Sequence, residues 1–268
     1  MIIDGRAIAE DLYSSLGKRR GKLKKDIKLG IIIGGVNPVI ESFVRIKTRA
    51  AARLSVEMVR VDLPEGVDTA TAMEAIEELE KRTDAVIVQL PLPKEIETHI
   101  ALATIPAEKD VDAINPTIPD NEHPVFAPVA LAVVEVLKRT GINPKGKRTV
   151  VVGAGRLVGA PSAVLLKRLG ADVSLFTLEE GSIDDLKDAD IVVLGVGKPG
   201  YIKPKHIKKG VALIDAGASE VSGKIQGDAD PACAEKAHVF TPVPGGIGPI
   251  AVAMIFRNLF DLIEGKKS

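Results

Sequence analysis

The stretch Arg148-Thr-Val-Val-Val-Gly-Ala-Gly-Arg-Leu-Val-Gly-Ala-Pro161 restricts what this chain can fold into more than any other. Val150, Val151 and Val152 in a row read as a strand buried on both faces. Gly153 and Gly155 make a tight turn, and Pro161 to Leu169 read as a helix with Val164, Leu165 and Leu169 on its apolar face. A strand, a glycine turn and a helix start form a phosphate cradle, because unpaired N–H groups and the helix dipole both favour an anion there. The spacing Gly153, Gly155, Gly159 is one residue longer than the usual dinucleotide fingerprint. By itself it also fits a plain structural turn of an α/β domain.

The rest of the chain repeats the theme. Gly5 to Leu16 reads as a helix. Leu29 to Gly34, Val56 to Leu63 and Asp84 to Leu90 read as strands, and Glu41 to Leu54 and Thr69 to Lys81 as the helices between them. Strand and helix alternating at this spacing imply parallel pairing with right-handed crossovers. Glu95 to Thr104 adds a helix, and Ile105 to Pro128 is an irregular link dense in proline, which breaks both helix and strand. Val129 to Arg139 is a connecting helix. Asp172 to Thr177, Asp190 to Val196, Val211 to Ala216 and a short strand from Val239 follow the glycine turn. Pro249 stands near the first turn of a last, strongly apolar helix, Ile250 to Leu262.

The pattern predicts an α/β chain of two domains. Residues 1–118 with 248–268 form an N-terminal three-layer domain, to which the last helix returns. Residues 119–247 form a Rossmann-like, doubly wound domain. A length of 268 residues suits two domains, and a hydrophobic fraction of 46% supplies a core.

Composition removes several function classes. The 36 basic and 36 acidic residues balance, so no nucleic-acid or membrane footprint is expected. Aromatic residues make up only 3% and Trp is absent, so platforms for stacked bases are not expected either. Cys233 is the sole cysteine, which fits a reducing, cytoplasmic setting and a buried, unreactive thiol. Asp4 and Arg6 come early with no long apolar run behind them, unlike a signal peptide. His99, His123, His206 and His238 are scattered, and no metal site is expected.

Lys47, Gln89 and Asp112 remain as candidates for chemistry. Phe43 and Lys47 stand four apart on one helix face. Gln89 ends a strand, where open parallel sheets bind ligands. Each has a plainer reading: Lys47 as one more cation beside Arg45 and Arg49, Gln89 as a strand-end cap, Asp112 as a turn residue.

Taken together with Asn37-Pro38, Val88-Gln-Leu-Pro-Leu-Pro93, Lys109-Asp-Val-Asp112, the glycine turn, Val196-Gly-Lys-Pro-Gly200, Ile214-Asp-Ala-Gly217, Gly227-Asp228 and Thr241-Pro-Val-Pro-Gly-Gly-Ile-Gly-Pro249, they carry a resemblance. Over nearly its whole length the chain resembles the bifunctional methylenetetrahydrofolate dehydrogenase/cyclohydrolase family. The resemblance implies oxidation of 5,10-methylenetetrahydrofolate to the methenyl cation with a nicotinamide cofactor, then hydrolysis to 10-formyltetrahydrofolate, in one cleft. It implies that Lys47 is catalytic, that Gln89 assists it, that Asp112 holds the pterin and that Phe43 stacks on the aminobenzoyl group. It places Gly153, Ala154, Gly155 and Arg156 on the cofactor, with Gly197, Gly217 and Ala218 near its nicotinamide half. It also implies a homodimer through the second domain.

The chain departs from the family's pattern in places. Phe43 replaces a tyrosine and Ile40 a serine. Ala113 replaces a glycine, Asn115 a histidine, Ala127-Pro128-Val129-Ala130 a Thr-Pro-x-Gly segment, and Ala251 a threonine. A dehydrogenase with weak or no hydrolysis is therefore one alternative. A shikimate-type dehydrogenase and a non-catalytic nucleotide sensor are two more. The end of the second strand after the glycines carries Thr177 rather than an acid, which with Arg156 favours NADP, while Glu179 and Glu180 lean towards NAD.

Overall fold

The computed structural model describes residues 1–35, 38–119, 122–178, 180–221 and 223–266, and of Val39 only the backbone. Asn37 and Glu179, both singled out above, lie outside the described residues. The chain divides into two compact units, one of Leu12–Phe126 with Ile255–Ser268, the other of Met1–Asp11 with Ala127–Met254.

Helix α1 (Gly5–Arg20) ends on Lys18, Arg19 and Arg20, cations suited to the negative end of the helix dipole. Strands β1 (Lys28–Gly34), β2 (Glu57–Leu63) and β3 (Ala85–Gln89) alternate with helices α2 (Pro38–Arg53) and α3 (Thr69–Lys81), and α4 (Thr98–Ala103) follows. The strands form one parallel sheet in the order β2-β1-β3. Central β1 is covered on both faces, hence its unbroken apolar run. Asp68 caps α3 by accepting from the Thr71 amide. A Cβ on Gly30 of β1 would lie 2.7 Å from the Leu79 side chain of α3, so glycine there lets the helix pack close against the sheet.

In the other unit, α5 (Pro128–Arg139) starts on proline, whose missing N–H is no loss there. Next come β4 (Arg148–Val152), α6 (Gly159–Arg168), β5 (Asp172–Phe176), β6 (Ile191–Leu194), β7 (Ala212–Asp215), a hairpin of β8 (Ser219–Val221) and β9 (Lys224–Gln226), β10 (Val239–Phe240) and α7 (Ile247–Ile263). The parallel sheet runs β10-β7-β6-β4-β5, so chain order reverses between β4 and β6. Ligands of doubly wound sheets bind at such a reversal, outside the carboxyl ends. The hairpin was not foreseen, since three residues per strand are too few to show an alternating pattern.

The division between units runs elsewhere than the expected 1–118/119–247 boundary. Met1–Asp11 goes with the dinucleotide-type sheet. There Ile2 pairs with Phe240, the terminal ammonium donates to the His238 carbonyl, and Gly5 donates to the Gly245 carbonyl. Residues 119–126 stay with the three-stranded unit, where Asn258 donates to the Phe126 carbonyl. The last helix changes unit at Met254–Ile255, within its own length, and its end lies with the three-stranded unit.

Candidate active site

In the three-stranded unit, the order β2-β1-β3 puts a chain reversal between β1 and β3, with Ile33 level with Gln89. Helix α2 leaves the carboxyl end of β1. It buries Ile40, Val44, Ala50 and Ala51 and leaves Phe43 38% exposed. Lys47, one turn after Phe43, donates from Nζ to Oε1 of Gln89 at 2.7 Å. The Gln89 amide is oriented by its other end, which donates to the Leu90 carbonyl at 2.9 Å. Only the oxygen is therefore left for the lysine.

The amine end of Lys47 is enclosed although the residue as a whole is only partly buried. Burial holds its pKa below the ordinary lysine value, and the nearby charge of Asp112 opposes that shift. Asp112 is itself buried and is pushed above the usual carboxylate range by the loss of water, with Lys47 pulling it back. Each group is thus closer to its neutral form than it is in water.

The loop that carries Asp112 is held from three sides. Asp110 pairs with Val86 of β3 through its backbone, and its Oδ2 accepts from the amides of Ile114 and Asn115, both at 2.8 Å. Asn115 donates to the carbonyls of Ala103 and Ile105. Asn258 of α7 donates to the carbonyls of Val111 and Phe126. Ala113, where glycine is expected, has φ +50°, the left-handed conformation that glycine favours. Burial and the adjacent Asp112 raise Asp110 to about 7. None of these supporting roles was read from the sequence; a buried amide on a helix and an acid before a turn carry no spacing signal.

In the other unit the glycine turn has the geometry of a cradle. Gly153 has φ +103°, and a Cβ there would lie 2.5 Å from the Gly195 carbonyl. A Cβ at Gly159 would lie 1.6 Å from the Gly153 carbonyl. Both glycines are therefore demanded by the protein's own packing. Gly155 is not: the nearest atom to a Cβ there is 3.9 Å away and its φ is ordinary. Residues 154–157 are exposed, and among the described residues no protein acceptor meets their amides. The residues present therefore fit a phosphate-bearing cofactor. Thr177 follows β5, and its hydroxyl accepts from the Glu180 amide at 3.0 Å, closing a turn. Gly197 follows β6 and Gly217 and Ala218 follow β7, all at the carboxyl edge of the sheet. Among the described residues no cluster of His, Cys, Asp and Glu is fit to hold a metal ion.

A family model for the tetrahydrofolate dehydrogenase/cyclohydrolase catalytic domain matches residues 3–112, and one for the NAD(P)-binding domain of the same family matches 127–267. The chain belongs to the tetrahydrofolate dehydrogenase/cyclohydrolase family. It is 37% identical to bifunctional protein FolD 2 of Arabidopsis thaliana, over 97% of this chain and 94% of that protein. Among solved structures, the bifunctional FolD of Campylobacter jejuni superposes with a TM-score of 0.93 at 28% identity, covering 99% of each chain. The FolD of Trypanosoma brucei, solved with NADP and an inhibitor, gives 0.90 at 32% identity, covering 99% of this chain and 97% of that one.

Proposed function

We propose that this protein oxidises 5,10-methylenetetrahydrofolate with NADP and hydrolyses the methenyl product to 10-formyltetrahydrofolate. The observation that carries this reading is the Lys47–Gln89 hydrogen bond beside buried Asp112, in a chain matched by both domains of one bifunctional family. Asp112 accepts hydrogen bonds from the amino and ring N–H groups of the pterin, and Phe43 offers a flat face to the aminobenzoyl ring. When bound, the nicotinamide cofactor supplies the acceptor for a hydride. The protein's part in that step is alignment, which needs neither acid nor base.

The exposed amides of residues 154–157 and the guanidinium of Arg156 hold the cofactor's phosphates, with Thr177 beside the ribose. Gly197, Gly217 and Ala218 border the nicotinamide half. Lys47 serves the second step. Burial already lowers its pKa, and a methenyl cation beside it disfavours a second positive charge further. The neutral amine takes a proton from water as the water oxygen bonds to the methenyl carbon and the carbon–nitrogen π pair moves onto nitrogen; the resulting ammonium returns that proton to N5 as the carbon–N5 bond breaks, and the carbinol O–H loses its proton to solvent as the formyl carbonyl forms. Gln89 keeps the amine aimed.

The same reading places the protein in the supply of one-carbon units to purine biosynthesis, in the cytoplasm, as a homodimer through the second unit. Among the described residues no helix is long and apolar enough to cross a membrane. Sedimentation tests the dimer. The decisive assay follows NADPH formation and methenyltetrahydrofolate absorbance with methylenetetrahydrofolate, beside the same assay with shikimate. Cofactor reduction by shikimate and not by the folate overturns the reading.

A further inference from the structure

Asp228 is fully buried, yet no cation is paired with it among the described residues. Its carboxylate is satisfied by backbone. Oδ2 accepts from the amides of Val196 at 2.7 Å and Gly197 at 3.2 Å, and Oδ1 accepts from the amide of Lys198 at 2.6 Å. Three consecutive donors on one carboxylate fix the loop after β6 in one shape. They also use up its N–H groups, so this loop is no second anion cradle despite its glycines.

A second buried acid braces the first. Asp215, at the end of β7, accepts from the amides of Gly217 at 3.0 Å and Ala229 at 2.8 Å. Its own amide donates to the Thr241 hydroxyl at 2.6 Å. A Cβ on Gly217 would lie 2.2 Å from Asp228, and a Cβ on Gly227 2.2 Å from Asp215. Each carboxylate thus sits under a glycine next to the other. Ser219 adds a tether, donating to the Gly197 carbonyl at 2.9 Å. The far side of the loop meets the glycine turn, where the Gly195 carbonyl stands 2.5 Å from a Cβ built on Gly153.

We propose that Asp228 is a positioning residue for the dehydrogenase step alone: by holding residues 196–198 rigid at the reversal point between β4 and β6, it sets the wall against which the nicotinamide half of the cofactor lies. This rests on the NADP reading above. The carboxylate touches neither reactant. It acts through the backbone of this loop, whose three amides need two oxygens accepting in two directions. Asparagine has one acceptor and directs an NH2 group at an amide that also donates.

The bifunctional reaction supplies the control, because hydrolysis of methenyltetrahydrofolate consumes no cofactor. In Asp228→Asn the KM for NADP should rise tenfold or more and the dehydrogenase kcat should fall, while hydrolysis of added methenyltetrahydrofolate stays within twofold of wild type. Dehydrogenase constants within twofold of wild type overturn the proposal. So does loss of both activities in the same proportion, which marks a purely structural role. Should Asp228→Asn fail to fold, Ser219→Ala decides, since it removes one tether at the surface. A severalfold rise in NADP KM with hydrolysis intact supports the proposal, and no change in KM overturns it. A wild-type protein that performs neither reaction overturns the underlying reading first, an outcome distinct from all of these.

Discussion

The amine of Lys47 reaches from α2 to the side-chain oxygen of Gln89 at the end of β3, 2.7 Å away. These residues are 42 positions apart in the chain and meet because β1 and β3 are sheet neighbours. The bond gives an enclosed amine a neutral hydrogen-bond partner, so the charge that favours its protonated form comes from Asp112 and not from Gln89.

Lys47→Met should abolish hydrolysis and spare hydride transfer. A positioned general base contributes ~10²–10⁴-fold, and methionine keeps the bulk without the proton. Single-turnover decay of methenyltetrahydrofolate, corrected for the uncatalysed rate, measures it. Full hydrolysis by the mutant removes the lysine from the mechanism.

Phe43→Tyr should raise hydrolysis relative to oxidation. Phe43 is one helical turn from Lys47 and partly exposed, so a hydroxyl there has room and a donor nearby. One neutral hydrogen bond contributes ~1 kcal/mol, about fivefold. The ratio of the two rates in wild type and mutant is the test, and an unchanged ratio shows that Gln89 and water suffice.

Asp112→Ala should raise the KM for methylenetetrahydrofolate by about tenfold or more and leave NADP affinity unchanged, since a hydrogen bond to a charged group contributes ~1.5–3 kcal/mol. The structure adds a sign. Asp112 raises the Lys47 pKa, so its removal moves that pKa lower still. The rising limb of the hydrolysis pH profile should therefore shift to lower pH. A fixed limb places the two groups too far apart to couple.

Gly155→Val should fold normally and bind NADP at least about tenfold more weakly, because the protein leaves this position open and a branched side chain would occupy the cofactor's approach. Gly159→Val should fail to fold, because its Cβ would overlap the Gly153 carbonyl. Calorimetry and thermal melts on the pair separate ligand space from packing. Native NADP affinity in Gly155→Val would falsify the cradle.

Stability should fall as pH rises from about 4 to about 7. Asp110 and Asp215 are each raised to about 7 by burial, with Asp112 and Asp228 adding repulsion. Between the unfolded and folded pKa values the folded state holds more protons, so deprotonation favours unfolding. Asp110→Asn and Asp215→Asn should each flatten the dependence of Tm on pH. A wild-type Tm constant across that window contradicts the assignment.

The sequence by itself determined the class of this protein. Apolar runs at Leu29–Gly34 and Val150–Val152, alternating with helices, dictate parallel sheets, because strands covered on both faces must be continuously apolar. The glycine turn and the Gln89-Leu-Pro-Leu-Pro93 segment were legible as local patterns, as was the place of Lys47 four residues after Phe43 on one helix face. Only the tertiary structure decided what those residues meet. It separated Gly153 and Gly159, which the packing demands, from Gly155, which it leaves open, although all three look alike in sequence. It moved Met1–Asp11 to the second sheet through main-chain bonds that any residue can make. It also revealed Asp110, Asp228 and Asn258 as supports. Their partners are backbone amides and carbonyls, which every residue carries, so no pattern of side chains announces them; a pKa depends likewise on burial, and burial exists only once the chain has folded.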